Sequence, residues 1–352
     1  MKLSLVSTAS KRGRGFSLLE LLISTVVLAV ILTISSGVIN EMQRTWSQNN
    51  ARIEQFREAR VAFENIVNTL RQATLNSYTT YRYNNGDTPT IPATRTEAPI
   101  AYIRHSELQF ICGGASTLFA GNANAVDGTH AVFFQAPLGI SGQPTYKPLK
   151  RLLNSCGYFI LHGDDAAYRP EHITTSRHRF RLMEFRQPSE ENGIYSQNPG
   201  AWFRTAVEQG ELNSSGTSLQ AAARPLAQNI IGLWISPRSV DPASPSSTPS
   251  PQIATNYHYD SSVIANATAN QPQGTQHLLP DELVITMIAI DEPSGRLLAD
   301  RYGASRPQLF AQGAFSHVGN YVEDLEAAEA ALIAEKLSYR IFTTTVALAN
   351  TK

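Results

Sequence analysis

The sequence predicts an α+β protein: one long N-terminal α-helix, membrane-spanning in its first half, packed in its second half on a mainly antiparallel β-sheet head. Three observations lead there. Leu21 to Asn40 is an uncharged, proline-free apolar run, and a bilayer core needs about 20 such residues in a helix. From Phe16 to about Ser77 there is no proline and helix formers predominate, so one helix of roughly 60 residues, about 90 Å, is expected. After Tyr78 the chain turns to Asn84-Asn85-Gly86-Asp87, Pro89, Pro92 and Pro99, which break helices, and short β-branched or aromatic runs follow.

At 352 residues and 42% hydrophobic content the chain can bury a sizeable core. Formal net charge is zero. Lys2, Lys11, Arg12 and Arg14 precede Phe16 with no acid among them, so a chain starting at Phe16 is mildly acidic. No basic stripe interleaved with aromatics occurs in the body, which argues against nucleic acid as a partner.

The opening Arg12-Gly13-Arg14-Gly15-Phe16-Ser17-Leu18-Leu19-Glu20 sets the apolar run in context. In a secretory signal peptide the cleavage site follows a short apolar stretch. Here the candidate cut, after Gly15, precedes the run, so the product keeps its membrane helix. Basic residues before the run place the N-terminus in the cytoplasm and the head outside. Glu20 lies just inside the apolar stretch, where an ionised group costs up to about 2.5–3.5 kcal/mol and calls for a partner.

Gly15-Phe16-Ser17-Leu18-Leu19-Glu20 resembles the processing signature of type IV prepilins and type II secretion pseudopilins. The resemblance implies that a prepilin peptidase cleaves between Gly15 and Phe16 and methylates the new amine of Phe16. Glu20 then corresponds to the buried glutamate of that family, paired with the Phe16 amine of a neighbouring subunit during assembly. The implied partners are the prepilin peptidase, other pilins or pseudopilins through the N-terminal helix, and the bacterial inner membrane; no cofactor is expected, and although the resemblance brings in calcium, which the heads of some members bind through loop oxygens, Asp-x-Asp-x-Asp-Gly is absent here and no metal is expected. Residues 1–15 are then a leader, 16–40 the membrane half of the helix and 41–78 its amphipathic half. Residues 79–352 form a pilin-like head with loop insertions at about 190–220 and 239–275. Arg60 to Ala73 and Arg224-Pro225-Leu226-Ala227-Gln228-Asn229-Ile230-Ile231-Gly232-Leu233-Trp234 resemble large minor pseudopilins of the J kind, and the chain is also similar to prepilin-like proteins of the Verru_Chthon cassette group.

Taken in order, the helix is expected to pass Gly37 unbroken, since Gly costs only about 1 kcal/mol there. Beyond Asn40, Ile53, Phe56, Phe63, Ile66, Leu70 and Ala73 recur at helical spacing, with Arg52, Glu54, Arg57, Glu58, Arg60 and Glu64 on the remainder, so one face is to be covered by protein. Strands are expected at Ile100 to Arg104, Glu107 to Cys112, His130 to Gln135, Tyr158 to His162 and Arg179 to Phe185. A short helix is expected at Ala201 to Gln209, and the Pro- and Ser-rich stretch Ser239 to Gln252 reads as a flexible loop. Leu283 to Ile290 reads as a buried strand, Val322 to Lys336 as a surface helix with Leu325, Ala328, Leu332 and Ile333 on one stripe, and Tyr339 to Leu348 as a final strand.

Few residues suggest chemistry. Cys112 and Cys156 lack metal-site spacing and are either one disulfide, stabilising by roughly 4 kcal/mol, or two buried thiols. His162-Gly163-Asp164-Asp165 has the donor types of a metal site but reads better as a solvated turn. Trp202-Phe203 is either core or an exposed partner-binding pair, with packing favoured. Cys112-Gly113-Gly114 reads as a turn, Tyr257-His258-Tyr259-Asp260 as loop residues, and the pairs Asp281-Glu282 and Asp291-Glu292 as charges at strand ends. Nucleophile-elbow, Walker A and His-Glu-x-x-His motifs are absent, which favours a structural subunit over an enzyme. The rival reading is a binding module or adhesin on a pilin-type anchor, with Trp202, Phe203 and the Pro/Ser loop at its exposed end.

Overall fold

The structure, a computed structural model, describes residues 17–84, 96–119, 125–166, 170, 172–195, 202–207, 223–239, 253–269, 271–311 and 313–349. It divides into two compact units, Met1–Ile53 and Glu54–Lys352. Helix α1, Leu18–Leu70, passes Gly37 without a break. Its residues up to Ile53, with Ser17 before them, are all that is described of the first unit, and those from Glu54 on open the second.

Within the second unit, α1 buries Ala59, Ala62, Phe63, Ile66, Val67 and Leu70, the three- and four-residue steps that put side chains on one helical face. The helix stops at Leu70, short of the expected Ser77. Gln72 N donates to Thr69 O at 3.0 Å and Ala73 N to Leu70 O at 3.0 Å, tightening the last turn. Thr74 N then donates to Gln135 O at 2.9 Å, and the Asn76 side-chain oxygen accepts from Glu107 N at 3.0 Å. These tertiary bonds draw the chain into strand β1, Tyr78–Arg82, whose β-branched and aromatic residues suit a pleat better than a helix.

Three antiparallel sheets follow. The ribbon pairs β1 with β2, Ala101–His105. The largest sheet has six strands: β3 (Ile111–Gly114), β4 (His130–Ala136), β5 (Asn154–Asp164), β6 (His178–Arg186), β7 (Ala223–Gln228) and β9 (Tyr259–Asp260), in the order β7-β6-β5-β4-β3-β9. The third has β8 (Ile230–Arg238), β10 (Glu282–Ile290) and β11 (Tyr339–Ala347), in the order β11-β10-β8. The expected strand from Glu107 forms only from Ile111, because residues 106–108 are held by the Asn76 side chain instead of a neighbouring strand.

Alternation along the strands divides the core in two. Val132, Phe134, Cys156, Tyr158, Ile160 and Leu182 face α1 and the β8 and β10 residues Leu233, Ile235, Leu283, Ile285 and Met287. Phe133, Phe159, Met183 and Phe185 point the other way, under Phe119, Trp202 and Phe203. Strands covered on both faces read as continuous apolar runs, as β4 does. The short helix α2, Ala115–Leu118, and helix α3, Trp202–Val207, supply the second cover, with the Phe203 ring stacked on Phe133 at 4.1 Å. Gly157 is required there: a Cβ would lie 2.2 Å from the Phe133 ring.

Two helices complete the head: α4, Glu292–Tyr302, and α5, Tyr321–Ala334. In α5, Ala328 and Leu332 are buried while Ile333 is exposed. Helix α4 has no counterpart among the elements expected from the sequence, although its start carries a recognisable signal. Asp291 caps it, accepting from Ser294 N at 3.0 Å, with Pro293 in the first turn. Asp291-Glu292 is therefore a helix start and not merely a pair of strand-end charges on a turn. Glu292 binds Arg179 through both oxygens, at 2.6 and 2.8 Å, and accepts from Asn229 at 2.9 Å. Burial pushes its carboxyl up, but the bonds from Arg179, Asn229 and Arg296 outweigh this and hold it down at about 2.

Candidate membrane anchor and processing site

The first unit contains a helical segment apolar on every side. Val26, Val27, Leu28, Val30, Ile31 and Leu32 are all at least half exposed, so no face of this stretch is set aside for a protein core. It is long and apolar enough to cross a membrane. Three of its hydroxyls are satisfied locally: Ser24 donates to Glu20 O at 2.7 Å, Thr25 to Leu22 O at 2.9 Å and Thr33 to Ala29 O at 2.8 Å. Such back-bonding lets Ser and Thr sit in hydrocarbon without an orphan donor. Beyond the run, Trp46 is exposed beside Arg44 and Glu41, and Trp is enriched where membrane meets water.

The helix begins immediately after Ser17, whose Oγ accepts from Leu19 N at 3.3 Å while its carbonyl accepts from Leu21 N at 3.1 Å. Ser17 is thus the N-cap and Glu20 stands three residues into the helix, the spacing of a capping box. That signal, Ser-x-x-Glu before an apolar run, was readable in the sequence and was missed. Glu20 is exposed in the first turn, where a carboxylate complements the helix dipole. Residues 1–16, Gly15 and Phe16 among them, lie outside the described residues.

The chemistry-bearing residues of the head are occupied structurally. Trp202 and Phe203 are buried, 3% and 1% exposed, and Trp202 Nε1 donates to Gln109 Oε1 at 2.9 Å, so they form no exposed binding pair. The Cys112–Cys156 disulfide is not formed; both thiols are free and buried. Strand β4 lies between them, Cys112 facing Val132 and Cys156 facing Phe134 in register. Two strand spacings, roughly 9–10 Å, already exceed the roughly 7 Å reach of a disulfide between Cα atoms. Burial pushes both thiols up, Cys156 to about 12.

His162 lies in β5 with its ring 4.6 Å from Phe180, and burial first, then His178 and nearby arginines, push it down to about 4. Asp164 accepts from Ala166 N and Asp165 from Arg177 N, so the two carboxylates hold loop backbone. Tyr257 and Tyr259 are buried rather than loop decoration: Tyr257 packs on His130 at 4.7 Å and the Tyr259 hydroxyl donates to Leu278 O at 2.9 Å. The Pro/Ser stretch 240–252 lies outside the described residues.

A family model described as the prokaryotic N-terminal methylation motif matches residues 10–36. The chain carries a prepilin-type signature. The matched span covers Gly15, Phe16, Ser17 and Glu20 and most of the apolar run, so the prepilin-type segment overlaps the exposed first part of α1 from Leu18 to Ser36. With antiparallel sheets behind a long N-terminal helix, the α+β architecture fits a pilin-like fold, and the apolar helix fits a single-pass membrane anchor. The comparisons with curated proteins and with solved structures return no match.

Proposed function

We propose that the chain is a minor pilin or pseudopilin: a filament subunit cleaved between Gly15 and Phe16, methylated on Phe16, and assembled through its N-terminal helix with the head outside the inner membrane. The observation that carries this reading is the methylation motif at residues 10–36 merging into a capped helix that exposes apolar side chains all round. A helix of that kind needs lipid before assembly and neighbouring helices after it. Glu20 serves assembly in this reading, its carboxylate meeting the amine of Phe16 on an adjacent subunit in apolar surroundings. The size of the head and its J-like segments favour a priming, tip or cargo-contacting place in a type II secretion or type IV pilus machine, and a structural rather than enzymatic role.

Mass spectrometry of the chain recovered from membranes tests this. The expected mature N-terminus is methylated Phe16, and Gly15→Ala is expected to leave the precursor uncut; a mature start elsewhere overturns the proposal. Glu20→Ala is expected to be processed normally and to assemble poorly. Unimpaired assembly of that variant removes the pairing role. The binding-module alternative loses the Trp202-Phe203 part of its contact surface, since both side chains are core; its other part, the Pro/Ser stretch 240–252, lies outside the described residues.

A further inference from the structure

The sheets end in edges of unequal protection. β7 is short, carries Pro225 and pairs with β6 through a register shift at Leu182/Met183, while β9 has only two residues. On β8, Ile235 N is engaged by His130 Nδ1 at 3.1 Å. Proline, bulges, brevity and cover are the usual means by which an edge is kept from pairing. β11 has none of them. It is nine residues long, pairs with β10 in unbroken register, and has no second partner strand among the described residues. Its one charged residue is Arg340.

Beside this edge runs a groove of about 610 Å³ between α1 and β11. Its helix wall carries Arg60, Glu64, Asn68 and Arg71, spaced three to four residues apart along one side of α1, and its strand wall runs from Arg340 to Thr344. Arg60 is spent on Glu64, at 2.9 Å. Arg71 and Arg340 are exposed and make no ion pair among the described residues, and Arg340 lies 5.7 Å over the Phe342 ring. The groove is therefore net positive beside an open strand edge.

We propose that the groove between α1 and the β11 edge receives an extended acidic segment of another protein, which adds as a strand beside β11. Main-chain hydrogen bonds along the edge supply affinity, and carboxylates on alternate residues, meeting Arg71 and Arg340, supply selection. This does not rest on the filament reading; a mature N-terminus other than Phe16 leaves it standing.

The test uses the full chain in nanodiscs and a fluorescent peptide of about nine residues alternating glutamate with valine, compared with its lysine counterpart. The acidic peptide is expected to bind saturably and at least about tenfold more tightly than the basic one. It is expected to slow amide exchange across 339–347, and to lose at least about tenfold in affinity when Arg71→Glu and Arg340→Glu are combined, with Lys at both positions retaining binding. The unfolding midpoint of each variant serves as the folding control. Equal affinity for the two peptides, unchanged exchange on β11, or no saturable binding overturns the proposal. So does slowed exchange on β11 that rises with protein concentration alone, which assigns the edge to a second copy of this chain.

Discussion

The two parts of α1 use one backbone geometry against two different surroundings. Before Ile53, consecutive residues such as Val26, Val27 and Leu28 are exposed alike; after Glu54, Ile66 and Leu70 are fully buried while Val61, on the other side, is 60% exposed. Helical propensity does not distinguish them. What differs is the width of the apolar surface: a complete circumference in one, a single stripe in the other. A complete circumference is stable only where the medium itself is apolar, whereas a stripe is satisfied by one sheet. The same helix therefore carries two separable jobs, and substitutions should sort by part.

The largest contrast is expected from truncating one apolar residue in each part. Ile66→Ala should destabilise the head by about 2–5 kcal/mol through lost burial and a cavity, read as a lowered urea midpoint in micelles. Ile31→Ala should leave that midpoint within about 0.5 kcal/mol. If both shift it equally, the separation is wrong.

A smaller effect is expected at the Glu292 site, which belongs wholly to the head. A carboxyl held down at about 2 contributes stability above its ordinary value, and this is lost as pH falls from about 4.5 towards about 2. With partial exposure discounted, about 2 kcal/mol is at stake. Glu292→Gln should flatten the acid limb of the head's stability profile, while Glu20→Gln should leave that limb unchanged.

The smallest change concerns the start of the first part. Ser17→Ala removes the cap and should fray the first turn by about 1 kcal/mol, seen as faster amide exchange at Leu19, with the head unaffected.

Periodic features were legible in the sequence. The apolar run, the stripe through Phe63, Ile66 and Leu70, and strands such as β4 and β10 announce themselves by spacing. Features set by partners distant in sequence were not. Nothing local to Thr74–Ser77 shows that Gln135, Glu107 and Ser106 will take its hydrogen bonds and end the helix early. Tyr257 and Tyr259 look like loop residues until β9 pairs with β3 and His130 meets their side. The caps at Ser17 and Asp291 are a different case, since both are local signals, Ser-x-x-Glu and Asp-Glu-Pro-Ser, written in the sequence itself. Of the prepilin-type signature, the residue types and their order were readable, because the motif is local in the chain. The β11 groove was not, because it exists only once helix and strand lie side by side.

The arrangement of Cys112 and Cys156 on either side of β4 sets an order of events for any compartment that oxidises thiols. A bond closed between them in the unfolded chain is incompatible with β4 inserting between β3 and β5, so oxidation before folding traps a chain that cannot complete its sheet. Once the sheet is closed, buried thiols with raised pKa values are protected from oxidant. Folding and oxidation are thus competitors in time, and a mild oxidant should lower the yield of native head when added to the unfolded chain and have no effect when added after refolding.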